Sequence, residues 1–356
     1  MRVLITGATG FVGQHLVRLL LSRKHDVYGT YISPPLEWPF AADLFPCDVR
    51  DTDLVRKVVA RIRPGEVYHL AALSSPSQSF EEIREAYDTN FWGTYNLLEA
   101  VRQVVPKARI LFVGSAQSYG GVRNIKALTE SAPLTPPNPY ALSKAAADML
   151  AGQYHFRFGL HVIRARPFNH TGPGQQAGFV CSDYARRLVA IEMGNERPIL
   201  HIRDSGARRD FTDVRDVVRA YKLLIDKGRP GEAYNVASGR SMSISDIVLI
   251  LASFCSRPVH VLQERQRNRA GEISNLYGSG LKLSRATGWK PRYKMHQTLR
   301  DLFDYWKRVS MNADLSIAMQ TAPGPRSKFA SRAQTLEDEG EGSPKRFKRV
   351  PKRGGN

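Results

Sequence analysis

The sequence predicts an α/β protein built on a Rossmann-type, doubly wound parallel sheet, followed by a smaller C-terminal α/β lobe. Three observations predict it. A β-branched run at 2–6 ends in glycines spaced Gly-x-x-Gly-x-x-Gly. Strand and helix patterns then alternate through residue 166, as parallel sheets with crossover helices require. Beyond 167 the pattern loosens into short strands and helices that continue to about 310.

Periodicity defines the individual elements. After the glycine turn, apolar residues recur at helical spacing, and the same spacing marks later helices. The predicted helices lie at 52–62, 83–102, 140–158 and 179–194. The predicted strands lie at 2–6, 26–31, 66–71, 109–113 and 161–166. We therefore expect a dinucleotide-binding domain at 1–166 and a substrate-binding lobe at 167–310, with some exchange of chain between them.

The last residues have a different composition. From 311 to 356 the helical periodicity stops, and Pro, Gly, Ser and charged residues dominate. Such a segment cannot bury enough apolar surface to offset its ordering entropy. We expect a disordered basic tail with no function of its own; the alternative is that KRFKRVPKR at 345–353 is a localisation or polyanion-binding patch.

Composition narrows the class of protein. The hydrophobic fraction is 42% and the charged fraction 24%, as in ordinary globular proteins. No apolar run reaches the roughly 18 residues of a membrane span, and the amino terminus does not resemble a signal peptide. The three cysteines are far apart and form no metal-ligand spacing. These features predict a cytoplasmic enzyme without a structural metal.

The net charge of +19 comes from 52 Lys and Arg against 33 Asp and Glu. The tail holds nine basic and five acidic residues, so most of the excess lies in the folded part. A basic surface suits nucleic acids as well as phosphorylated small molecules. No zinc-finger spacing, RNP-like motif or basic helix before heptads is present, so the sequence favours a phosphorylated substrate and cofactor over nucleic acid.

The glycine turn at 7–13 predicts a dinucleotide site. Glycines allow the tight turn and the close approach of a pyrophosphate, and the following helix offers free N–H groups. The cofactor-binding candidates in this turn are Gly7, Thr9, Gly10, Phe11, Val12 and Gly13.

Asp48 and Val49 follow a third strand-like segment and are candidates for the adenine contact; a solvated turn aspartate is the alternative for Asp48. At the end of the second strand an acid favours NAD, and an arginine favours NADP. The stretch 27–31 contains neither. The missing acid favours NADP(H) over NAD(H), or tolerance of both.

Tyr140 and Lys144 are candidate catalytic residues. Their i, i+4 spacing at the start of a predicted helix places both side chains on one face. A neighbouring ammonium favours the phenolate and should lower the tyrosine pKa. Ser115 follows the strand 109–113, where its hydroxyl could bind a substrate oxygen.

A series of motifs in a fixed order resembles the extended short-chain dehydrogenase/reductase superfamily over about 1–310. The motifs are GATGFVG at 7–13, HLAA at 69–72, TNFWGTYNLLEA at 89–100, VGSAQSYG at 113–120, PYALSK at 139–144, RPFNHTGPGQ at 166–175, RRDFTDVRDVVRAY at 208–221, YNVASG at 234–239 and TGWKP at 287–291. The resemblance implies that Ser115, Tyr140 and Lys144 are the family's catalytic triad.

Further site residues are implied by the resemblance alone. Leu70, Ala71, Ala72 and Asn90 should line the cofactor and active-site wall. Asn169 should contact a sugar nucleotide and Arg209 its diphosphate. Arg269 and Glu272 occupy the place of a phosphate- and ribose-binding motif, although the motif here lacks its proline. The superfamily also implies a homodimer formed through the helices at 83–102 and 140–158.

The two residues after Ser115 distinguish between the reactions that the superfamily catalyses. Nucleotide-sugar 4,6-dehydratases of the superfamily carry Asp or Glu there, because elimination needs an acid and a base. This chain has Ala116 and Gln117, and neither side chain can act as an acid or a base. The RPFNHTGPGQ and RRDFTDV segments resemble the reductases of GDP-4-keto-6-deoxy-D-mannose, which form GDP-rhamnose, and also the related GDP-mannose 4,6-dehydratases. We expect NAD(P)H-dependent reduction at the sugar C4.

Alternatives to reduction remain. A dehydratase with elimination groups elsewhere, or a nucleotide-sugar 4-epimerase, would share the fold and the triad. A non-catalytic NADP-sensing protein of the same fold would usually carry a broken Tyr/Lys pair, and here the pair is intact.

Overall fold

The computed structural model describes residues 1–35, 37–76, 78–120, 126–204, 206–265 and 275–321. Within these ranges, thirteen strands lie at β1 (Arg2–Thr6), β2 (Asp26–Tyr31), β3 (Asp43–Pro46), β4 (Glu66–His69), β5 (Arg109–Val113), β6 (His161–Pro167), β7 (Asn169–Thr171), β8 (Ile199–Asp204), β9 (Arg208–Asp213), β10 (Ala233–Val236), β11 (Ser241–Ser243), β12 (His260–Arg265) and β13 (Asn275–Leu276).

Eleven α-helices accompany the strands of the described residues. They lie at α1 (Phe11–Ser22), α2 (Thr52–Ile62), α3 (Gln78–Glu81), α4 (Ile83–Tyr87), α5 (Gly93–Val104), α6 (Pro139–Phe158), α7 (Val180–Glu192), α8 (Val214–Lys227), α9 (Ile244–Ala252), α10 (Leu281–Thr287) and α11 (Met295–Thr321). Within the described residues, no helix is both long and apolar enough to span a membrane.

The central sheet has seven parallel strands in the order β10-β6-β5-β4-β1-β2-β3. The chain order reverses between β1 and β4, and ligands of doubly wound sheets bind at the carboxyl ends of the strands at this switch point. The predicted Rossmann-type fold is confirmed.

Helices cover both faces of this sheet. On one face, α1, α8 and α10 bury an apolar core that includes Leu16, Val217 and Leu283. On the other face, α2, α5 and α6 bury a core that includes Val59 and Leu97. Because both faces of the sheet are buried, the central strands consist of nearly continuous apolar residues.

A third apolar core belongs to the later part of the chain. It joins α7, α9 and α11 to β8 and includes Leu188, Leu200, Ile247 and Leu299. Beside it, β7, β11 and β13 all pair with β9, and β12 pairs with β8. Strand β10 and helix α8, from this later part of the chain, belong to the central sheet and to the core on one of its faces.

Two elements differ from the sequence-based expectation. The helix predicted at 83–102 is interrupted by a π-helical turn at Asp88–Trp92, between α4 and α5. Such turns insert a residue without disturbing the apolar spacing enough to be seen in the sequence. Helix α11 continues to Thr321, beyond the expected start of the tail at 311. The rest of that predicted disordered tail lies outside the described residues.

Candidate active site and cofactor cleft

The glycine turn has the shape that a pyrophosphate needs. Gly7 has a φ of +69°, and a Cβ atom there would lie 3.0 Å from the backbone of Ala71. A Cβ atom at Gly13 would lie 2.5 Å from the carbonyl oxygens of Gly7 and Ala8. Only glycine therefore permits this turn to pack against α1 and the segment after β4.

Helix α1 begins at Phe11 directly after the turn. Gly10 supplies no side-chain cap, and the first turn of the helix carries no acidic residue. The N–H groups and the positive end of the helix dipole are thus left for an anion. These features fit the phosphates of a dinucleotide.

Asp48 and Val49 lie just past β3. The Asp48 carboxylate accepts hydrogen bonds from the backbone N–H and the guanidinium of Arg50, with a shortest distance of 2.6 Å. These bonds lower the pKa of Asp48 and keep it ionised. Val49 packs under Gly93, where a Cβ atom would lie 2.6 Å from its Cγ2. Arg50 is not among the residues predicted from the sequence, although its position two residues after Asp48 indicates that the two side chains could meet.

The expected wall at Leu70, Ala71 and Ala72 follows the end of β4. The N–H of Ala71 donates to the Thr6 hydroxyl at 3.1 Å, which holds the wall against β1. The Asn90 side chain is buried and is used for support: it accepts from the N–H of Leu73 at 2.9 Å and donates to the Leu73 carbonyl at 3.2 Å.

Helix α6 carries Tyr140 and Lys144 in its first two turns. It starts there because Asn138 caps it, accepting from the N–H of Ala141 at 2.8 Å, and Pro139 occupies the first helical position. The buried Ser79 hydroxyl accepts from the Tyr140 N–H at 3.2 Å and so satisfies one more free group of that first turn.

Ser115 lies at the end of β5 and caps the short 3-10 turn Ala116–Tyr119. Its Oγ accepts from the N–H of Gln117 at 3.2 Å, and its hydroxyl is near enough to the Tyr140 side chain to lower the pKa of that tyrosine. The Lys144 ammonium donates to the Val113 carbonyl at 2.6 Å. Ser115, Tyr140 and Lys144 are each less than 10% exposed, at 8%, 9% and 5%. The structure therefore brings the predicted triad together at one strand end.

The electrostatics of Tyr140 differ from the expectation. Burial raises the pKa of Tyr140, and only the nearby Ser115 hydroxyl opposes this. Lys144 is not among the groups that shift the pKa of Tyr140, so the expected lowering is not found; its ammonium donates to the Val113 carbonyl. Burial in turn lowers the pKa of Lys144 to about 8, against the attraction of Asp148. Tyr140 is therefore protonated at neutral pH, as a proton donor must be.

Asn169 and Arg209 lie on paired strands, since β7 aligns Asn169 with Phe211 of β9. The Nη1 of Arg209 donates to its neighbour's carbonyl, at Arg208, at 2.9 Å. The neighbouring Asp210 carboxylate accepts from Ser238 and from two further backbone N–H groups. The predicted Arg269 and Glu272 lie outside the described residues.

Sequence reasoning missed a buried charge cluster beneath the triad. Asp148, one turn after Lys144 on α6, accepts from Arg164 at 2.9 Å and from Arg166 at 2.8 Å. Arg166 also donates to the Tyr119 hydroxyl at 3.0 Å. The cluster fixes α6 on β6, and the alternating arginines of β6 were its only sign in the sequence.

Comparison with known proteins identifies the family. The model of the family described as GDP-mannose 4,6 dehydratase matches residues 4–302. This chain belongs to the GDP-mannose 4,6 dehydratase family. The resemblance that the motifs indicated is thereby confirmed.

Relatives of the GDP-mannose 4,6 dehydratase family include enzymes with different names. GDP-6-deoxy-D-mannose reductase of Pseudomonas aeruginosa is 34% identical over 307 residues, which cover 86% of this chain and 97% of the relative. GDP-mannose 4,6 dehydratase 1 of Arabidopsis thaliana is 28% identical and covers 85% of this chain and 88% of the relative.

Two solved structures share the architecture of this family member. RMD from Pseudomonas aeruginosa complexed with NADPH has a TM-score of 0.76 at 32% identity, covering 86% of this chain and 99% of that one. UDP-glucose 4-epimerase of Thermus thermophilus in complex with NAD has a TM-score of 0.78 at 30% identity, with the same coverage of both chains.

Proposed function

We propose that this chain is a nicotinamide-dependent nucleotide-sugar reductase that reduces the C4 keto group of GDP-4-keto-6-deoxy-D-mannose to give GDP-rhamnose. The observation that carries the proposal is that Ser115, Tyr140 and Lys144 lie buried at the end of β5, beside Ala116 and Gln117, which cannot titrate. It provides a proton donor for an alkoxide and no titratable side chain at those two positions. The 34% identity to the P. aeruginosa reductase supports the same reading.

The residues of the cleft divide the work. The turn at 7–13 and the segment after β3 would hold the dinucleotide, which when bound supplies the hydride. Ser115 would orient the substrate carbonyl, and Tyr140 would donate its phenolic proton to the oxygen as negative charge develops there. Its raised pKa keeps that proton available at neutral pH. Lys144, in the second turn of α6, would supply a positive charge beside these groups.

We propose that residues within 167–310 bind the nucleotide sugar. Asn169 on β7 and Arg209 on β9 belong to one small sheet, so both side chains are carried by the same unit. We propose that Asn169 binds the sugar nucleotide and Arg209 its diphosphate. An arginine suits that second role, because its planar guanidinium matches phosphate oxygens.

We propose NADPH as the preferred reductant. Strand β2 ends at Tyr31, where an acid would hold a free ribose hydroxyl, and the adjacent Thr30 is buried and accepts from the Gly7 N–H at 3.3 Å. No carboxylate of β2 thus opposes a 2′-phosphate at this strand end. RMD from P. aeruginosa was solved with NADPH, which agrees with this choice.

We further propose a homodimer formed by α5 and α6. Leu142, Met149 and Phe156 follow each other at seven-residue intervals on α6 and are 46%, 65% and 85% exposed. Residues so spaced share one helix face. Trp92, 50% exposed, extends the patch beside α5. A contiguous apolar surface of this kind on two neighbouring helices is typical of a protein interface.

A cytoplasmic location is proposed on the cysteines. Cys47, Cys181 and Cys255 are unpaired, and burial raises the pKa of each thiol. Unpaired, unreactive thiols suit a reducing compartment.

Product analysis on a panel of substrates tests the function. We expect a mass gain of two hydrogens on the GDP-4-keto-6-deoxy sugar, only when NADPH is added. Water loss from GDP-mannose without added reductant would instead identify a dehydratase. Isomerisation of a UDP-sugar without added reductant would identify a 4-epimerase, which the similarity to the T. thermophilus enzyme makes the second candidate.

A further inference from the structure

A chain of buried hydrogen bonds runs from the end of β1 to the start of α6. Its five side chains are Thr6, His69, Thr94, Asn90 and Ser143, each at most 3% exposed. The proposed reaction uses none of the hydroxyl or imidazole groups in this chain.

The donor of each bond in the first half is determined by counting protons. The Thr94 hydroxyl donates to the backbone carbonyl of Asn90 at 2.6 Å. Because its one proton is used there, the Thr94 oxygen accepts from the His69 Nε2–H at 3.0 Å. Burial lowers the pKa of His69 to about 3, so the ring is neutral and its unprotonated Nδ1 accepts from the Thr6 hydroxyl at 2.8 Å, while the Thr6 oxygen accepts from the Ala71 N–H at 3.1 Å. His69 is therefore a neutral imidazole with its proton on Nε2.

The second half reaches the catalytic helix. The Leu73 N–H donates to Asn90 Oδ1 at 2.9 Å, which fixes the orientation of the amide. Asn90 Nδ2 then donates to the Ser143 hydroxyl at 2.9 Å, and this hydroxyl donates to the carbonyl of Tyr140 at 2.8 Å. Each hydroxyl proton is used once, and the direction of every bond is set.

The two ends of the chain reach the segment after β4 and the start of α6. One end holds Ala71 in the wall that faces the glycine turn, where a Cβ atom on Gly7 would lie 3.0 Å from it. The other end holds the backbone of Tyr140. A buried network of this kind has discrete arrangements, because an unsatisfied buried group costs about 1–3 kcal/mol.

We propose that His69 is a positioning residue. Through Thr94, Asn90 and Ser143 it sets the distance between the cofactor wall at 70–73 and the Tyr140 proton donor. The proposal rests on the proposed reductase function. Misplacement of reacting groups by about 1 Å can reduce turnover by about 100-fold, so a relay of this length can govern the rate without touching the substrate.

A double-mutant cycle tests the relay. His69→Phe keeps the ring and removes both of its hydrogen bonds, and Ser143→Ala removes the last link. We expect each change to lower kcat by about tenfold while the KM for NADPH stays within about twofold. We expect the double variant to be no slower than the slower single variant, since both cut one connection. Losses that multiply to about 100-fold, or full activity in Ser143→Ala, would overturn the proposal.

A matched control and a rescue variant separate positioning from general packing. Ser118→Ala removes another buried hydroxyl, which donates to the adjacent Ala141 carbonyl at 3.4 Å, and should leave kcat unchanged. His69→Gln carries its amide nitrogen far enough to donate toward Thr94, whereas the shorter His69→Asn places its amide near Thr6 and does not reach Thr94. We therefore expect Gln to restore most of the kcat and Asn to restore little. Equal rates in Gln and Asn would contradict the relay.

Two outcomes separate the proposals from each other. Wild-type protein that fails to oxidise NADPH with the keto sugar would contradict the proposed function. Active wild-type protein with multiplicative single variants would contradict the positioning role alone. If His69→Phe does not fold, the comparison of His69→Gln and His69→Asn, each combined with Ser143→Ala, provides the same cycle.

Discussion

The Lys144 ammonium donates a 2.6 Å hydrogen bond to the carbonyl oxygen of Val113, joining α6 to the end of β5 two residues before Ser115. This contact explains how a 5% exposed lysine can remain charged, since the carbonyl replaces part of its lost hydration. It also fixes Lys144 against the strand whose end carries Ser115. The position of the lysine is thus set by α6 and β5 together.

The first prediction concerns pH. Burial lowers the pKa of Lys144 to about 8, so its ammonium is present below that pH and is lost above it. We expect kcat/KM for NADPH to fall above about pH 8, because this parameter reports the cofactor-free enzyme. Lys144→Arg keeps a charge at every accessible pH, so the residual activity of that variant should lack the alkaline limb. A limb near pH 8 that persists in Lys144→Arg would assign it to another group.

The second prediction concerns the proton donor. Tyr140→Phe should lower kcat for keto-sugar reduction by at least about 100-fold, the usual contribution of a positioned general acid. NADPH binding measured by fluorescence should stay within a few-fold. Tyr154→Phe is the matched control on the same helix, where the hydroxyl donates to Glu99 at 2.7 Å, and it should keep full turnover. Equal loss in both variants would indicate damage to α6 instead.

The third prediction concerns cofactor choice. Tyr31→Asp places a carboxylate at the end of β2, where it can accept from a free ribose hydroxyl and repels a 2′-phosphate. We expect the ratio of kcat/KM values for NADPH over NADH to fall by about tenfold or more. Tyr31→Asn introduces a side chain of the same size as aspartate but without its charge, so it should change the ratio little. An unchanged ratio in Tyr31→Asp would contradict the assignment of this strand end to the adenosine ribose.

The fourth prediction concerns assembly. Met149→Asp introduces a charge at the centre of the apolar stripe on α6 and should convert the proposed dimer to a monomer in sedimentation velocity. Leu249→Asp changes an apolar residue on α9 that is 57% exposed, outside the stripe, and should leave the dimer intact. Wild-type protein that sediments as a monomer would contradict the homodimer.

The central sheet and the meeting of Ser115, Tyr140 and Lys144 at one strand end could be predicted from the sequence because their signals are local. The glycine turn, the strand ends and the Tyr140–Lys144 spacing each lie within a few residues. Which strand of the later part joins the central sheet could not be predicted, since strand pairing over such separations leaves no local pattern. The π-helical turn at Asp88–Trp92 escaped notice for a related reason, because a single extra residue scarcely alters the apolar spacing.

Roles that depend on distant partners were also out of reach. Asn90 was expected along the wall, but only the fold shows that its amide supports Leu73 and Ser143. The effect of Lys144 on Tyr140 was expected from spacing alone, whereas the Val113 carbonyl redirects the ammonium. Helical spacing predicts which side chains share a face, and tertiary contacts decide which atoms they bind.

Transfer of deuterium tests the central claim most directly. Purified protein would be given GDP-4-keto-6-deoxy-D-mannose and NADPH deuterated at the transferable position of the nicotinamide C4, and the product examined by NMR. We expect one deuterium at the sugar C4 and one NADPH oxidised for each product molecule. Turnover of a nucleotide sugar without NADPH oxidation, or product without deuterium at C4, would contradict the reductase assignment.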